Sequence, residues 1–181
     1  PNYVYLRPQH SDRVFDILFA SKNAGAGLNL AYKRNKPEKL FKLIEVDGKD
    51  NTYYIENKNS GLVLTSNGKS KQITQEKNTK SEKQQWYLES AGAEDMAPMK
   101  TFKSYALRNV EANRYVDVGG SGAKARTKNE RVQLWDKSTN PDRYISLANT
   151  NLDDWYYVRH NHSSEHYWDI ESGNNANGTK L

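Results

Sequence analysis

One pattern is repeated four times along this chain of 181 residues. The pairs Leu6-Arg7, Ile55-Glu56, Leu107-Arg108 and Val158-Arg159 each close a tyrosine-rich run, and they recur at intervals of 49, 52 and 51 residues. Asp16, Thr65 and Asp117 lie nine residues after the polar member of their pair, and Asp169 lies ten after it. A period of about 50 residues with strand signals inside it means a copied supersecondary unit, which buries its apolar face only against its own copies. The units fall at 1–50, 51–100, 101–151 and a partial 152–181, which predicts a single domain over residues 1–181.

Within each unit the grammar is strand, turn, strand. The first strands are Tyr3-Val4-Tyr5-Leu6, Thr52-Tyr53-Tyr54-Ile55, Ser104-Tyr105-Ala106-Leu107 and Trp155-Tyr156-Tyr157-Val158. After a polar turn come Val14-Phe15-Asp16-Ile17, Leu62-Val63-Leu64, Tyr115-Val116-Asp117-Val118 and Tyr167-Trp168-Asp169-Ile170, which read as a hairpin with the first strands. Third strands are legible in two units, Leu28-Asn29-Leu30 and Val132-Gln133-Leu134-Trp135. Fourth strands are Leu40-Phe41-Lys42-Leu43-Ile44, Gln85-Trp86-Tyr87-Leu88 and Tyr144-Ile145-Ser146-Leu147. Strands this short and dense, without helical periodicity, predict an all-β fold. Three complete four-strand units make twelve strands, the count of a β-trefoil. A propeller is the rival, but it needs at least about four complete blades, and the fourth unit reaches only the start of its third strand at Leu181. Either the parent protein is longer, or the last hairpin replaces the first in closing the barrel.

Composition narrows the functional classes. Only 35% of residues are hydrophobic and the mean hydropathy is −1.00, yet 12 Tyr and 4 Trp sit in short clusters, as in a folded chain with a modest core. No apolar run approaches the roughly 18 residues of a membrane span, so membrane insertion by this chain is not expected. Pro1-Asn2-Tyr3-Val4-Tyr5 carries no signal-peptide pattern. The absence of cysteine excludes disulfides and thiolate metal sites and leaves the compartment open, with a secreted setting favoured. The net charge of +5 comes from scattered lysines, as in Lys69-Ser70-Lys71, and implies no nucleic-acid partner. His160, His162 and His166 have types that suit a metal, but they fill a turn whose unit-one counterpart is Pro8-Gln9-His10-Ser11, so neither metal nor cofactor is expected. The glycine-rich loops Ala24-Gly25-Ala26-Gly27 and Gly119-Gly120-Ser121-Gly122 precede no helix and make no phosphate cradle. The carboxylates recur with the repeat instead of converging as a pair, and no nucleophile–base arrangement is present, so no enzyme is expected.

Gln84-Gln85-Trp86 is similar to the Gln-x-Trp signature of ricin-type (R-type) β-trefoil lectins, and the resemblance covers essentially the whole chain, one family repeat per unit. In that family an Asp on the second strand accepts hydrogen bonds from adjacent sugar hydroxyls. An aromatic two positions past a third-strand Gln stacks on the pyranose, and polar groups near the Gln-x-Trp complete the contacts. In unit three this implies Asp117, Gln133, Trp135, and Asn140 or Asp142 as carbohydrate-binding residues, with Asp142 standing where the signature has Gln. Strand alternation supports it independently: with Val132 and Leu134 inward, Gln133 and Trp135 face outward together.

The other units depart from the pattern. Unit one keeps Asp16 and Asn29 but has Ala31 at the stacking position, with Tyr32 one residue out of phase and usable only through a bulge; Lys39-Leu40-Phe41 replaces its Gln-x-Trp. Unit two has Thr65 in place of the Asp and is expected to bind no sugar. Unit four keeps Asp169 and ends before its aromatic. Phe41, Trp86 and Tyr144 read as buried anchors. Asp117 has an alternative use in bonding the glycine-rich turn after it, and Trp135 has one in packing under the loop from Gly119 to Arg131.

The expected partners are glycans or glycoconjugates. A homo-oligomer or a larger parent protein would supply the avidity that a single shallow site lacks. The rival reading is a protein-binding trefoil, either a protease inhibitor or a toxin's receptor-binding module, that contacts a protein receptor through loops such as Ser90 to Lys100.

Overall fold

The computed structural model describes residues 3–90, 105–120, 129–137 and 144–149. Asn140, Asp142, Asp169, the fourth unit with its histidines, and residues 91–100 lie outside the described residues.

Among the described residues twelve strands follow one another: β1 (Val4–Pro8), β2 (Arg13–Ile17), β3 (Leu28–Tyr32), β4 (Phe41–Glu45), β5 (Thr52–Asn57), β6 (Val63–Thr65), β7 (Thr74–Glu76), β8 (Trp86–Ser90), β9 (Tyr105–Asn109), β10 (Arg114–Val118), β11 (Val132–Trp135) and β12 (Ile145–Asn149). Only short 3₁₀ turns interrupt them among the described residues. The first and fourth strands of the three units close into a six-stranded antiparallel ring, β1-β4-β5-β8-β9-β12, and β12 pairs back onto β1 from Val4↔Asn149 to Pro8↔Ile145. The second and third strands form three hairpins, β2-β3, β6-β7 and β10-β11. This is a β-trefoil, and the pairing of β1 with β12 closes its barrel.

The pairing expected between first and second strands is only marginal. β5 meets β6 at Glu56↔Val63 alone and β9 meets β10 at two residue pairs, whereas β2 and β3 run together through five. The second strand has to leave the barrel to build the hairpin layer, so its long ladder forms with the third strand.

One residue face of each hairpin supplies the core. Phe15, Ile17, Leu28 and Leu30 from unit one meet Val116, Val118, Val132 and Leu134 from unit three, with Leu64 and Ile73 from unit two. The ring adds Leu6, Phe41, Ile55, Trp86, Leu107 and Ile145. Burying each such side chain is worth about 1.5–3 kcal/mol. Phe41 and Trp86 are fully buried as expected, and the Trp86 indole N–H donates to the Leu64 carbonyl at 3.0 Å. Tyr144 is only half-buried; the anchor there is Ile145, the next residue.

The hairpins are locked cyclically, each receiving an edge from the preceding unit. Residues 25–28 of unit one pair along β7, through Gly25 N–H to the Gln75 carbonyl at 2.9 Å and Leu28 N–H to the Ile73 carbonyl at 2.8 Å. Residues 69–73 of unit two run along β11, with Ser70 N–H to the Leu134 carbonyl and Ile73 N–H to the Val132 carbonyl. Residues 129–131 of unit three return to β3, where Leu30 N–H reaches the Glu130 carbonyl and Asn129 N–H the Leu30 carbonyl. At the first of these contacts a Cβ on Gly27 would meet the Gln72 amide nitrogen at 2.4 Å, so a larger residue there would have to displace the Gln72 side chain from its hydrogen bond to the Leu28 carbonyl.

Candidate functional site

Each hairpin presents its second face away from the core, and the three faces carry different chemistry. In unit three the facing pairs are Tyr115↔Trp135 and Asp117↔Gln133, while Val116, Val118, Val132 and Leu134 point into the core. The outward placement of Gln133 and Trp135 therefore follows strand alternation. Gln133 Nε2 donates to Asp117 Oδ2 at 2.9 Å, and both side chains are buried. The other amide atom, Gln133 Oε1, is buried without a hydrogen-bond partner. Trp135 is 37% exposed, so the alternative of a ring packed away under the loop that precedes it does not hold. The site thus combines a fixed carboxylate, an acceptor oxygen lacking a donor, and an indole with open surface. A pyranose, with a hydroxyl rim and one apolar face, can use all three.

The surroundings of this face come from neighbouring units. Lys69, carried on the unit-two segment that edges β11, lies with its ammonium 5.4 Å from the Trp135 ring centroid and is ion-paired to Asp136. Arg114 Nε reaches the same carboxylate at 2.7 Å. On the other side, Tyr115 donates its hydroxyl to Glu89 Oε2 at 2.9 Å, and Lys137 donates to Glu89 Oε1 at 3.2 Å. Burial pushes the Glu89 carboxyl up, but hydrogen bonds from Tyr115 and Lys137 and the charges of Lys137 and Arg108 outweigh it and hold the group below its ordinary value. Tyr115 is raised by burial and by its bond to Glu89, and Lys137 is raised chiefly by its hydrogen bond to the same carboxylate.

In unit one the facing pairs are Val14↔Ala31 and Asp16↔Asn29. Lys39, at the end of the 3₁₀ turn Pro37–Lys39, buries its ammonium against Asp16 Oδ1 at 2.6 Å, with Glu38 Oε1 at 3.4 Å. Both amide atoms of Asn29 are buried without a hydrogen-bond partner. Tyr32 does not rescue the missing stack: the β2-β3 register runs unbroken, without a bulge, so Tyr32 shares parity with Leu28 and Leu30. Its ring lies under the Arg13 guanidinium, 3.9 Å from the centroid.

In unit two, Thr65 faces Thr74, and Gln84 Nε2 donates to the Thr65 hydroxyl at 3.2 Å. Gln84 ends the 3₁₀ turn Glu82–Gln84, the position Lys39 holds in unit one. Lys39 therefore keeps the donor function of the signature glutamine, something its residue type alone concealed.

Residues 37–97 and 98–181 match the model of a family described as ricin-type beta-trefoil lectin domain-like. The chain belongs to that family. Among solved structures, this ricin-type chain is similar to the designed three-fold symmetric protein ThreeFoil, at 20% identity and TM-score 0.69 over 81% of this chain and 98% of that one. It is similar to the C-half of the earthworm R-type lectin in complex with GalNAc, at 12% identity and TM-score 0.59 over 82% and 99%. It also resembles part of an exo-β-1,3-galactanase from Clostridium thermocellum, at 18% identity and TM-score 0.68, where it covers 82% of itself but only 30% of the enzyme. At these identities the likeness concerns the fold. No curated protein matches the chain by sequence.

Proposed function

We propose that this ricin-type domain binds a glycan without transforming it, and that the unit-three face is its principal site. Asp117 accepts hydrogen bonds from two adjacent sugar hydroxyls, Gln133 holds that carboxylate and offers its free Oε1 to a third, and Trp135 stacks on the apolar face of the ring. Asn140 and Asp142 complete the polar contacts on the same reading. The supporting observation is the Asp117–Gln133 hydrogen bond beside a Trp135 that keeps open surface. Unit one, with Asp16 and Asn29 but no stacking ring, is a weaker second site; Asp169 belongs to a repeat of the same kind, within one domain spanning 1–181.

A few hydrogen bonds at about 1 kcal/mol net each, with a stack of about 1 kcal/mol, give weak single-site affinity. Glycan-array binding of the wild type beside Asp117→Ala and Trp135→Ala tests the proposal. Loss of signal in both variants, with unchanged unfolding, supports it. Protease inhibition with no glycan signal in the wild type would overturn it in favour of a protein-binding trefoil.

A further inference from the structure

Two charged triads flank the outer end of the unit-three face. Lys69, Asp136 and Arg114 form one, beside Trp135; Lys137, Glu89 and Arg108 form the other, beside Tyr115. Each triad holds two cations on one carboxylate and so keeps a surplus positive charge. Each also sets an ammonium by an aromatic ring of the same cross-strand pair, Lys69 at 5.4 Å from Trp135 and Lys137 at 5.9 Å from Tyr115. Among the described residues, the other carboxylate of this face, Asp117, lies two residues further in on β10, opposite Gln133, so their positive excess sits at the outer end. Each of the four cations is ion-paired with Asp136 or Glu89, so an incoming anion would meet positive charge already gathered at one end of the face.

We propose that the unit-three site selects an acidic glycan, one bearing a sulfate or carboxylate substituent that projects from the sugar at Asp117 toward the two triads. This rests on the proposal that unit three binds sugar. It adds a requirement that hydroxyl recognition by Asp117 and Gln133 does not contain: the ligand's charge. Lys69 belongs to unit two and Glu89 to β8 of the same unit, so the preference is a product of two repeats.

The test is calorimetric titration with matched saccharides in neutral, O-sulfated and carboxylated forms, at low salt and at about 0.5 M salt, where charges are screened within a few ångströms. The expected result is roughly fivefold tighter binding of an acidic form at low salt, erased at high salt. The ratio should fall to about one in the double variant Lys69→Gln/Lys137→Gln and return in Lys69→Arg/Lys137→Arg. The sulfated and carboxylated arms identify which substituent is preferred. Equal binding of neutral and acidic forms, or an acidic preference that survives the double Gln variant, overturns the inference while leaving the sugar site standing. Binding of none of the saccharides overturns both.

Discussion

Lys39 donates to Asp16 across 2.6 Å from the place where, one repeat later, Gln84 donates to Thr65. The two donors end equivalent 3₁₀ turns and reach the same position on the second strand, yet one is a cation and the other an amide. Unit one has thus exchanged an amide contact for a nearly buried ion pair. Removing one member of such a pair leaves a charge without its partner in a poorly hydrated site. Lys39→Met is expected to cost about 3 kcal/mol. Lys39→Gln, which can donate as Gln84 does, should cost about 1 kcal/mol. Urea unfolding of both variants checks this; equal losses would mean that the Lys39 contribution is its stem and not its ammonium.

Asn57 and Asn109 are fully buried one repeat apart and perform the same task. Asn57 Nδ2 donates to the Glu38 carbonyl at 2.9 Å while its Oδ1 accepts from Asn59 N–H; Asn109 Nδ2 donates to the Lys83 carbonyl at 2.9 Å while its Oδ1 accepts from Ala112 N–H. Each staples the turn before a fourth strand to the turn after the next unit's first strand. Alanine at either position strands buried backbone groups and should cost about 2–3 kcal/mol. Thermal unfolding of the two single variants measures it, and a loss under 0.5 kcal/mol in both would refute the staple.

The Glu89 cluster gives the chain a definite pH dependence. A carboxyl held below its ordinary value contributes stability above the unfolded-state carboxylate range and loses it as pH falls through the folded value. Tyr115 and Lys137, both raised, contribute below their ordinary values and lose that contribution as pH rises through the folded ones. The stability gap between wild type and Glu89→Gln should therefore be level near neutrality and shrink below about pH 4. Ultraviolet titration should show Tyr115 ionising earlier in Glu89→Gln; an unchanged tyrosine titration would break the link between them.

Phe19 is 90% exposed and has φ of 57°, a left-handed conformation that is costly for a bulky side chain. Its backbone is set by the short turn Leu18–Ala20, whose Ala20 carbonyl accepts from Asn59 Nδ2 at 2.8 Å. Phe19→Asn keeps the turn in a residue that tolerates this region and should raise stability by about 0.5 kcal/mol. A fall of more than 1 kcal/mol in chemical denaturation would show that the ring packs against something in solution.

The period and the apolar anchors made the fold legible, because the repeat must preserve what it buries. β7 escaped detection since its residues are Thr74-Gln75-Glu76: where Leu30 and Leu134 fill the core, unit two buries Gln75, bonded to the Ser21 and Asn23 carbonyls at 2.9 Å and to the Ser60 hydroxyl at 2.7 Å. A polar residue with every atom satisfied looks like a loop residue in the sequence. Asn57 and Asn109 were hidden the same way among turn residues. The outward pairing of Asp117, Gln133 and Trp135 follows from strand alternation alone, whereas Lys69 does not, for its position beside Trp135 depends on a contact 66 residues apart in the chain.

The cyclic edging of each hairpin by the unit before it separates inheritance of the fold from inheritance of specificity. Unit two has Thr65 where units one and three have Asp16 and Asp117, and by itself would look like a spent copy. Yet its segment 69–73 forms the wall of the neighbouring hairpin, and Lys69 rides on that wall. On the proposed reading, a repeat without a sugar site of its own goes on shaping the one next door, and substitutions in that copy become a route by which such a domain changes what it recognises.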